Sequence, residues 1–409
     1  MMRFVWAAVA AALLAGVPAA RSQVPLHPGT PGILQWTAAQ QRAWYPAMQT
    51  VYRMATIRRG DYVRPLPRAA RRIDPTWTHA GRTWTIGAYM KAYDVSGLLV
   101  LQDGKVLLER YGLGRKPADR WTSFSVAKSV TSTLIGAAIE DGYIKSLDDP
   151  VTRYIPRLKG SAYDGVTVRQ LLTMTSGVKW NENYTDPNSD VARAGTRILQ
   201  PGVDPIVSYM RRLPRAYAPG TRWVYKTGET DLAGILVSNA TGKSLSEYAS
   251  EKIWRPFGME RNALWMLDLG GHERGGCCIS MTLRDYGRFG LFMLDGGLAR
   301  GRRILPKWWV AQATSPQAGA GAPPPGYGYF WWMEPHGYAA EGIFGQAVVI
   351  YPKDRLVVVF NSAWPQADAD ALWAAQSACA EAIRAAAAKV PSRGGRAKAA
   401  SVSAAASGA

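Results

Sequence analysis

The sequence Ser125-Val126-Ala127-Lys128 places a hydroxyl and an amine at positions i and i+3. On a helix those side chains share a face, with Cβ atoms about 5–6 Å apart. A serine hydroxyl is a poor nucleophile until a neighbour takes its proton, and a lysine stripped of water can be tuned to do so. A serine at the helix start gains more. Its N–H is one of the first-turn donors that lack an intrahelical partner, and the helix dipole there favours a developing negative charge. The chemistry implied is nucleophilic, with Ser125 as nucleophile and Lys128 as its base.

Two fixed positions out of four arise by chance about once in a chain this long, and the spacing recurs at Ser176-Gly177-Val178-Lys179. Context separates the two copies. Val126, Val130, Leu134 and Ala138 recur every four residues and predict a helix over about 125–141, ended by Gly142. The second copy straddles the end of a helix expected over 166–176, stopped by Gly177. Ser176 and Lys179 would therefore not be held one turn apart.

The elements around this helix suggest a sheet built from both ends of the chain. Residues 97–110 read as a hairpin, with an apolar run at Leu98-Leu99-Val100-Leu101, an Asp103-Gly104 turn and Val106-Leu107-Leu108 returning. A second hairpin is expected from strands at 347–351 and 356–360 around Pro352-Lys353-Asp354, followed by a helix over 367–387. Further helices are expected over 230–240 and 245–253. Strands flanking a helical middle predict an α+β domain over 86–388, with a helical insertion at about 145–295. Residues 21–85, rich in Pro, Arg and Trp, should wrap this body as loops and short helices. An Ala/Ser/Gly/Lys tail over 389–409 should be disordered.

The 409 residues are 47% apolar and 19% charged, an ordinary globular balance. Arg3, an apolar run over 4–16 and the small residues Val17, Ala19 and Ala20 read as a signal peptide over 1–20. That run is shorter than the ~20 residues of a bilayer-spanning helix, so an exported protein, periplasmic or extracellular, is expected rather than an anchored one. The net charge of +19 names no partner by itself. Much of it is a cluster of Arg53, Arg58, Arg59, Arg64, Arg68, Arg71, Arg72 and Arg82, and no nucleic-acid-reading module accompanies it. Peripheral contact with an anionic envelope surface, or a solvated arginine face, is expected instead. Cys277, Cys278 and Cys379 form no disulfide framework. A bridge from Cys277 or Cys278 to Cys379, and free buried thiols, both remain open.

Several motifs in order resemble one family. Ser125-Val126-Ala127-Lys128 is followed by Leu171-Leu172-Thr173-Met174-Thr175-Ser176-Gly177, and by Pro219-Gly220 leading into Tyr225-Lys226-Thr227. Gly275-Gly276 then precedes Thr282-Leu283-Arg284-Asp285-Tyr286-Gly287-Arg288-Phe289-Gly290. Over residues 85–385 this resembles the serine β-lactamase and penicillin-binding superfamily. The nearest branch is the class C-like one that includes esterases and 6-aminohexanoate-oligomer hydrolases. The resemblance implies a β-lactamase/transpeptidase-like α+β fold, an antiparallel sheet flanked by helices with an inserted helical domain.

It also implies roles. Ser125 would attack an ester or amide carbonyl and form an acyl-enzyme, with Lys128 accepting its proton and Tyr225 relaying the proton to the leaving group. The oxyanion hole would use the N–H groups of Ser125 and Ile343, the latter on the strand carrying Glu341-Gly342-Ile343-Phe344-Gly345-Gln346. The run Trp180-Asn181-Glu182-Asn183-Tyr184-Thr185-Asp186-Pro187 resembles the loop whose tyrosine contacts the substrate amide in the oligomer-hydrolase branch, which makes Tyr184 a substrate residue. Thr227, Gly342 and Trp331 are the other expected substrate contacts, with Trp331 and Trp332 lining an acyl pocket.

Two departures bear on the substrate. Thr227 stands where the second motif usually ends in Asn. Ala340-Glu341-Gly342 stands where a cation usually holds a substrate carboxylate. Both argue against β-lactams and D-Ala-D-Ala peptides and leave small-molecule esters or linear amides. No cofactor or metal is expected: His272 near Cys277 and Cys278 matches no zinc spacing. Gly242-Lys243-Ser244 lacks the opening glycine of a phosphate loop, and no Gly-x-Ser-x-Gly elbow is present. A β-lactamase or D,D-carboxypeptidase, and a non-catalytic envelope-binding protein on the same scaffold, are the alternatives. Oligomeric state is not legible.

Overall fold

The computed structural model describes residues 32–196 and 199–389. The expected signal peptide, and all but the first residue of the expected tail, lie outside the described residues. Within them, no helix is long and apolar enough to cross a membrane.

The apolar run Leu98-Leu99-Val100-Leu101 lies in strand β1 (Val95–Gln102), which is buried along its whole length. Asp103 and Gly104, both at positive φ (50° and 73°), turn the chain into β2 (Lys105–Tyr111). This is the backbone that a two-residue hairpin requires. Near the other chain end, β3 (Trp332–Glu334), β4 (Gly337–Gly342), β5 (Gln346–Tyr351) and β6 (Leu356–Ser362) follow one another. The six strands form one antiparallel sheet in the order β3-β4-β5-β6-β1-β2. The two chain ends join where β6 pairs with β1, Val358 opposite Val100.

Helices cover both faces, which explains why β1 and β6 are continuous apolar runs rather than alternating ones. Helix Ile86–Ala92 and the C-terminal helix Asp370–Ala388 bury Tyr89, Ala375, Cys379 and Ile383 with Leu98, Val358 and Phe360 on one face. On the other face Leu283–Leu294 lies so close that a Cβ at Gly290 would sit 2.5 Å from Val357 Cγ1. That helix thus belongs to the sheet layer, although it falls within the segment 145–295 expected to be inserted. The remaining helices include α1 (Val126–Glu140) and α2 (Thr227–Thr241), which share one hydrophobic core. The architecture is α+β, as the sequence predicts.

Some elements depart from expectation. The helix expected over 166–176 is a single short one, Val168–Leu172. The Thr173 hydroxyl bonds the Arg169 carbonyl (3.0 Å) and Met174 turns left-handed at φ 54°, so the chain leaves the helix before Ser176. The helix expected over 245–253 ends as Leu245–Ala249 and continues as a π turn over Ser250–Trp254. The segment 21–85 contains strands as well as helices. Met54–Ile57 pairs with Ala263–Met266, in a four-stranded sheet completed by Ile279–Thr282 and Arg120–Thr122. Thr76–His79 pairs with Arg82–Thr85. Cys277 and Cys278 bond to each other, and Cys379 is free and buried on the far face of the sheet.

Candidate active site

Strand Arg120–Thr122 delivers the chain to a tight turn in which Phe124 takes φ 43°, and Ser125 then stands at the N-cap position of α1, its side chain free of any capping bond. Tyr45 from the N-terminal wrap packs edge-on against Phe124 (5.3 Å) and Trp121 (5.5 Å), fixing that turn from behind. Residues Val126 to Ala138 of α1 are all buried, so its first turn is a closely packed platform.

One turn on, Lys128 is 2% exposed. Its Nζ lies 2.9 Å from Ser125 Oγ, 3.0 Å from Thr227 Oγ1 and 2.9 Å from the Gly276 carbonyl. Burial holds the amine down at about 8, against an ordinary 10.5, although Glu182 and Asp231 pull it upward. A neutral amine has two protons and one lone pair. The Gly276 carbonyl can only accept. The Thr227 hydroxyl donates its own proton to Glu182, which leaves it an acceptor towards Lys128. Ser125 is then the one partner of the three able to donate, so the lone pair faces the serine hydroxyl. Asp231 of α2 holds the Gly276 N–H (2.9 Å) and pairs with Arg274 (2.8 Å), fixing the carbonyl on which Lys128 rests.

Tyr225 completes the group. Its ring centroid is 5.0 Å from Lys128 Nζ, and its hydroxyl lies close enough to Ser125 for the serine to influence its titration. Burial, with smaller contributions from Glu182 and Glu341, pushes the phenol well above its ordinary value, so it remains a protonated donor. The ring stacks on Trp332 (5.5 Å, 23°).

The end of β4 lies against the nucleophile: a Cβ at Gly342 would come within 2.9 Å of the Ser125 nitrogen. Ile343, the next residue, lines the same cleft as Ser125. Tyr184 reaches the cleft too, its hydroxyl donating to Glu182 (3.0 Å). Trp331 is elsewhere. It has no exposed surface, stacks on Phe289 (6.0 Å) and meets Tyr338 edge-on, so it is core and cannot touch substrate. Of the adjacent pair, Trp332 is the one that lines the cleft, together with Trp36, Trp223 and Trp373. The second Ser-x-x-Lys is dispersed, with Ser176 bonded to Glu229 and Lys179 exposed.

The cleft holds about 1150 Å³ beside Ser125. Among the described residues its walls carry four carboxylates, Glu182, Glu341, Asp368 and Asp370, and no Lys, Arg or His. Burial and the neighbouring Glu334 push the Glu341 carboxyl well above its ordinary range. Away from the cleft, Asp204, Asp268 and His272 bring donor atoms within 4.8 Å of one another. His272 Nδ1 is paired with Asp204 at 2.6 Å, so an ion pair accounts for that cluster.

Sequence reasoning missed two parts of the site. Glu182 was visible two residues before Tyr184, but nothing local showed that its carboxylate meets Thr227 from 45 residues away. Gly276 acts through its carbonyl, which a residue type does not reveal.

A family model described as Beta-lactamase matches residues 83–380, and the chain belongs to that family. It is a hydrolase of the serine β-lactamase-related kind. A 6-aminohexanoate-dimer hydrolase of Paenarthrobacter ureafaciens is 32% identical over 358 residues, covering 83% of this chain and 90% of that protein. A β-lactamase of Pseudomonas fluorescens is 27% identical over 185 residues, 43% of this chain and 48% of that one. Among solved structures, a Bacillus anthracis protein provisionally described as a 6-aminohexanoate-dimer hydrolase superposes with a TM-score of 0.77 at 24% identity, covering 89% of this chain and 100% of the other. A family VIII carboxylesterase superposes with a TM-score of 0.56 at 15% identity, covering 72% and 95%. At these identities the two structures speak for the fold alone.

Proposed function

We propose that the chain hydrolyses a linear amide or ester through an acyl-enzyme on Ser125, in the manner of the oligomer hydrolases and related esterases. The observation that carries this reading is the proton inventory at Lys128, whose lone pair is left for Ser125 alone. Ser125 Oγ bonds to the carbonyl carbon as its proton passes to Lys128, and the oxyanion is held by the N–H groups of Ser125 and Ile343. The carbon–nitrogen or carbon–oxygen bond then breaks. Lys128 returns the proton through Tyr225 to the leaving group, and water releases the acyl group by the reverse path.

The β-lactamase or D,D-carboxypeptidase alternative needs a cation for the substrate carboxylate, and the cleft offers Glu341 at that place. A non-catalytic binding protein would have no need of a desolvated lysine beside a serine. The reading also has the chain exported, with its arginine-rich N-terminal segment as a face that contacts an anionic envelope surface. N-terminal sequencing of the mature protein tests export.

Ser125→Ala should abolish turnover of p-nitrophenyl butyrate while leaving the thermal midpoint nearly unchanged. Fluorophosphonate labelling with peptide mapping should place the adduct on Ser125. Undiminished turnover in the variant, or an adduct on another serine, would remove the mechanism.

A further inference from the structure

The carboxylate of Glu182 sits where three parts of the site meet. It takes the Thr227 N–H (2.9 Å) and the Thr227 hydroxyl, and it also accepts from the Trp180 indole and from the Tyr184 hydroxyl (3.0 Å). All four partners donate to it, so both of its oxygens serve as acceptors. Thr227 in turn accepts from Lys128. The carboxylate therefore reaches the general base through one hydroxyl and the substrate loop through two other donors.

We infer that Glu182 is a positioning residue for the general base, locking the Thr227 hydroxyl as an acceptor so that the free lone pair of Lys128 is offered to Ser125 and to no other group. The inference rests on the proposed Ser125–Lys128 mechanism. A hydroxyl can donate or accept, and an unconstrained Thr227 would donate to the neutral amine and capture the lone pair that should take the serine proton. Glu182 forbids that by taking the threonine proton itself. The same carboxylate also stabilises the ammonium form of Lys128, so its charge sets where the base titrates as well as where it points.

Glu182→Gln separates charge from packing, since the amide fills the same space. With p-nitrophenyl butyrate as probe, the acid limb of kcat/KM should move about one pH unit lower, because the lost charge no longer favours the protonated lysine. A merely structural role would lower the thermal midpoint and leave that limb in place. Thr227→Val should lower kcat about 10- to 100-fold with KM little changed, as expected for a misdirected base. Thr227→Ser, which keeps the hydroxyl, should restore most of the rate. On the pH plateau, where the charge effect on Lys128 titration no longer counts, combining Glu182→Gln with Thr227→Val should lower kcat little further than Thr227→Val alone, because the remaining effect of both runs through one hydroxyl.

If Ser125→Ala is inactive but the acid limb of Glu182→Gln stays where it was, the inference fails and the mechanism stands. If Ser125→Ala keeps its activity, the mechanism itself fails. Should Glu182→Gln not fold, the threonine pair decides: a fully active Thr227→Val overturns the inference, and a loss rescued by serine supports it.

Discussion

Gly342 at the end of β4 approaches Ser125 so closely that a Cβ there would lie 2.9 Å from the Ser125 nitrogen and 2.5 Å from the Ser123 carbonyl oxygen. The neighbours are backbone and cannot swing away. Gly342→Ala should therefore push the edge strand off the start of α1 and widen the gap between the Ser125 and Ile343 N–H groups. Oxyanion donors act only at correct distance, so kcat should fall about 100-fold. Steady-state kinetics check this. A variant with wild-type kcat would show that the strand end is not part of the oxyanion site.

Lys128 must be unprotonated to take the serine proton, so kcat/KM should rise with pH through about 8 and level off above it. The sign follows from burial, which disfavours the ammonium form and brings the amine down from 10.5. Between about 8 and 10.5 the unfolded chain holds a proton on this group that the native state lacks, so this lysine's contribution makes stability rise with pH across that window. A pH–rate profile still climbing at pH 10 would show that Lys128 is not desolvated in solution.

Much of this site was legible from local pattern. The period-four apolar face placed Ser125 and Lys128 on one helix, and the second copy is indeed off-helix, although its helix ends at Leu172 rather than at Gly177. The Asp103-Gly104 turn announced the β1–β2 hairpin because both residues tolerate positive φ. What escaped is non-local. Met54–Ile57 is four residues long, and its partner lies over 200 residues away, so no periodicity marks it as a strand. The helix expected over 166–176 failed because side-chain hydrogen bonds at Thr173 and a left-handed Met174 outweigh apolar spacing. Trp331 and Trp332 are adjacent and alike in composition; which one faces the cleft depends on the strand's register, which sequence alone did not set.

Tyr225 should matter in proportion to how badly the leaving group needs a proton. An alkylamine cannot depart as an anion, whereas p-nitrophenolate can. Tyr225→Phe should therefore lower amide hydrolysis by about 10²–10⁴-fold, the usual range for general acid catalysis. It should lower p-nitrophenyl butyrate turnover much less. Parallel kcat/KM measurements on a butanoyl amide and the ester decide the matter, and equal losses on both would deny the tyrosine its role as proton relay.

The cleft is acidic in a chain of net charge +19, which makes substrate charge a sharp probe. Glu341 lies within electrostatic reach of Tyr225, the residue that hands the proton to the leaving group in the proposed mechanism. Two matched amides test it: the butanoyl amides of 1,6-diaminohexane and of 6-aminohexanoate, whose leaving amines end in opposite charges. The cationic one should have a kcat/KM about tenfold higher at low ionic strength, with the ratio shrinking as salt screens the cleft. Because burial and Glu334 hold the Glu341 proton on beyond the usual carboxyl range, the ratio should also grow as pH rises and that proton leaves. Glu341→Lys should reverse the preference by restoring a cation at that place. If the wild-type enzyme favoured the anionic amide at every pH, the cleft's carboxylates would have no part in selecting the leaving group.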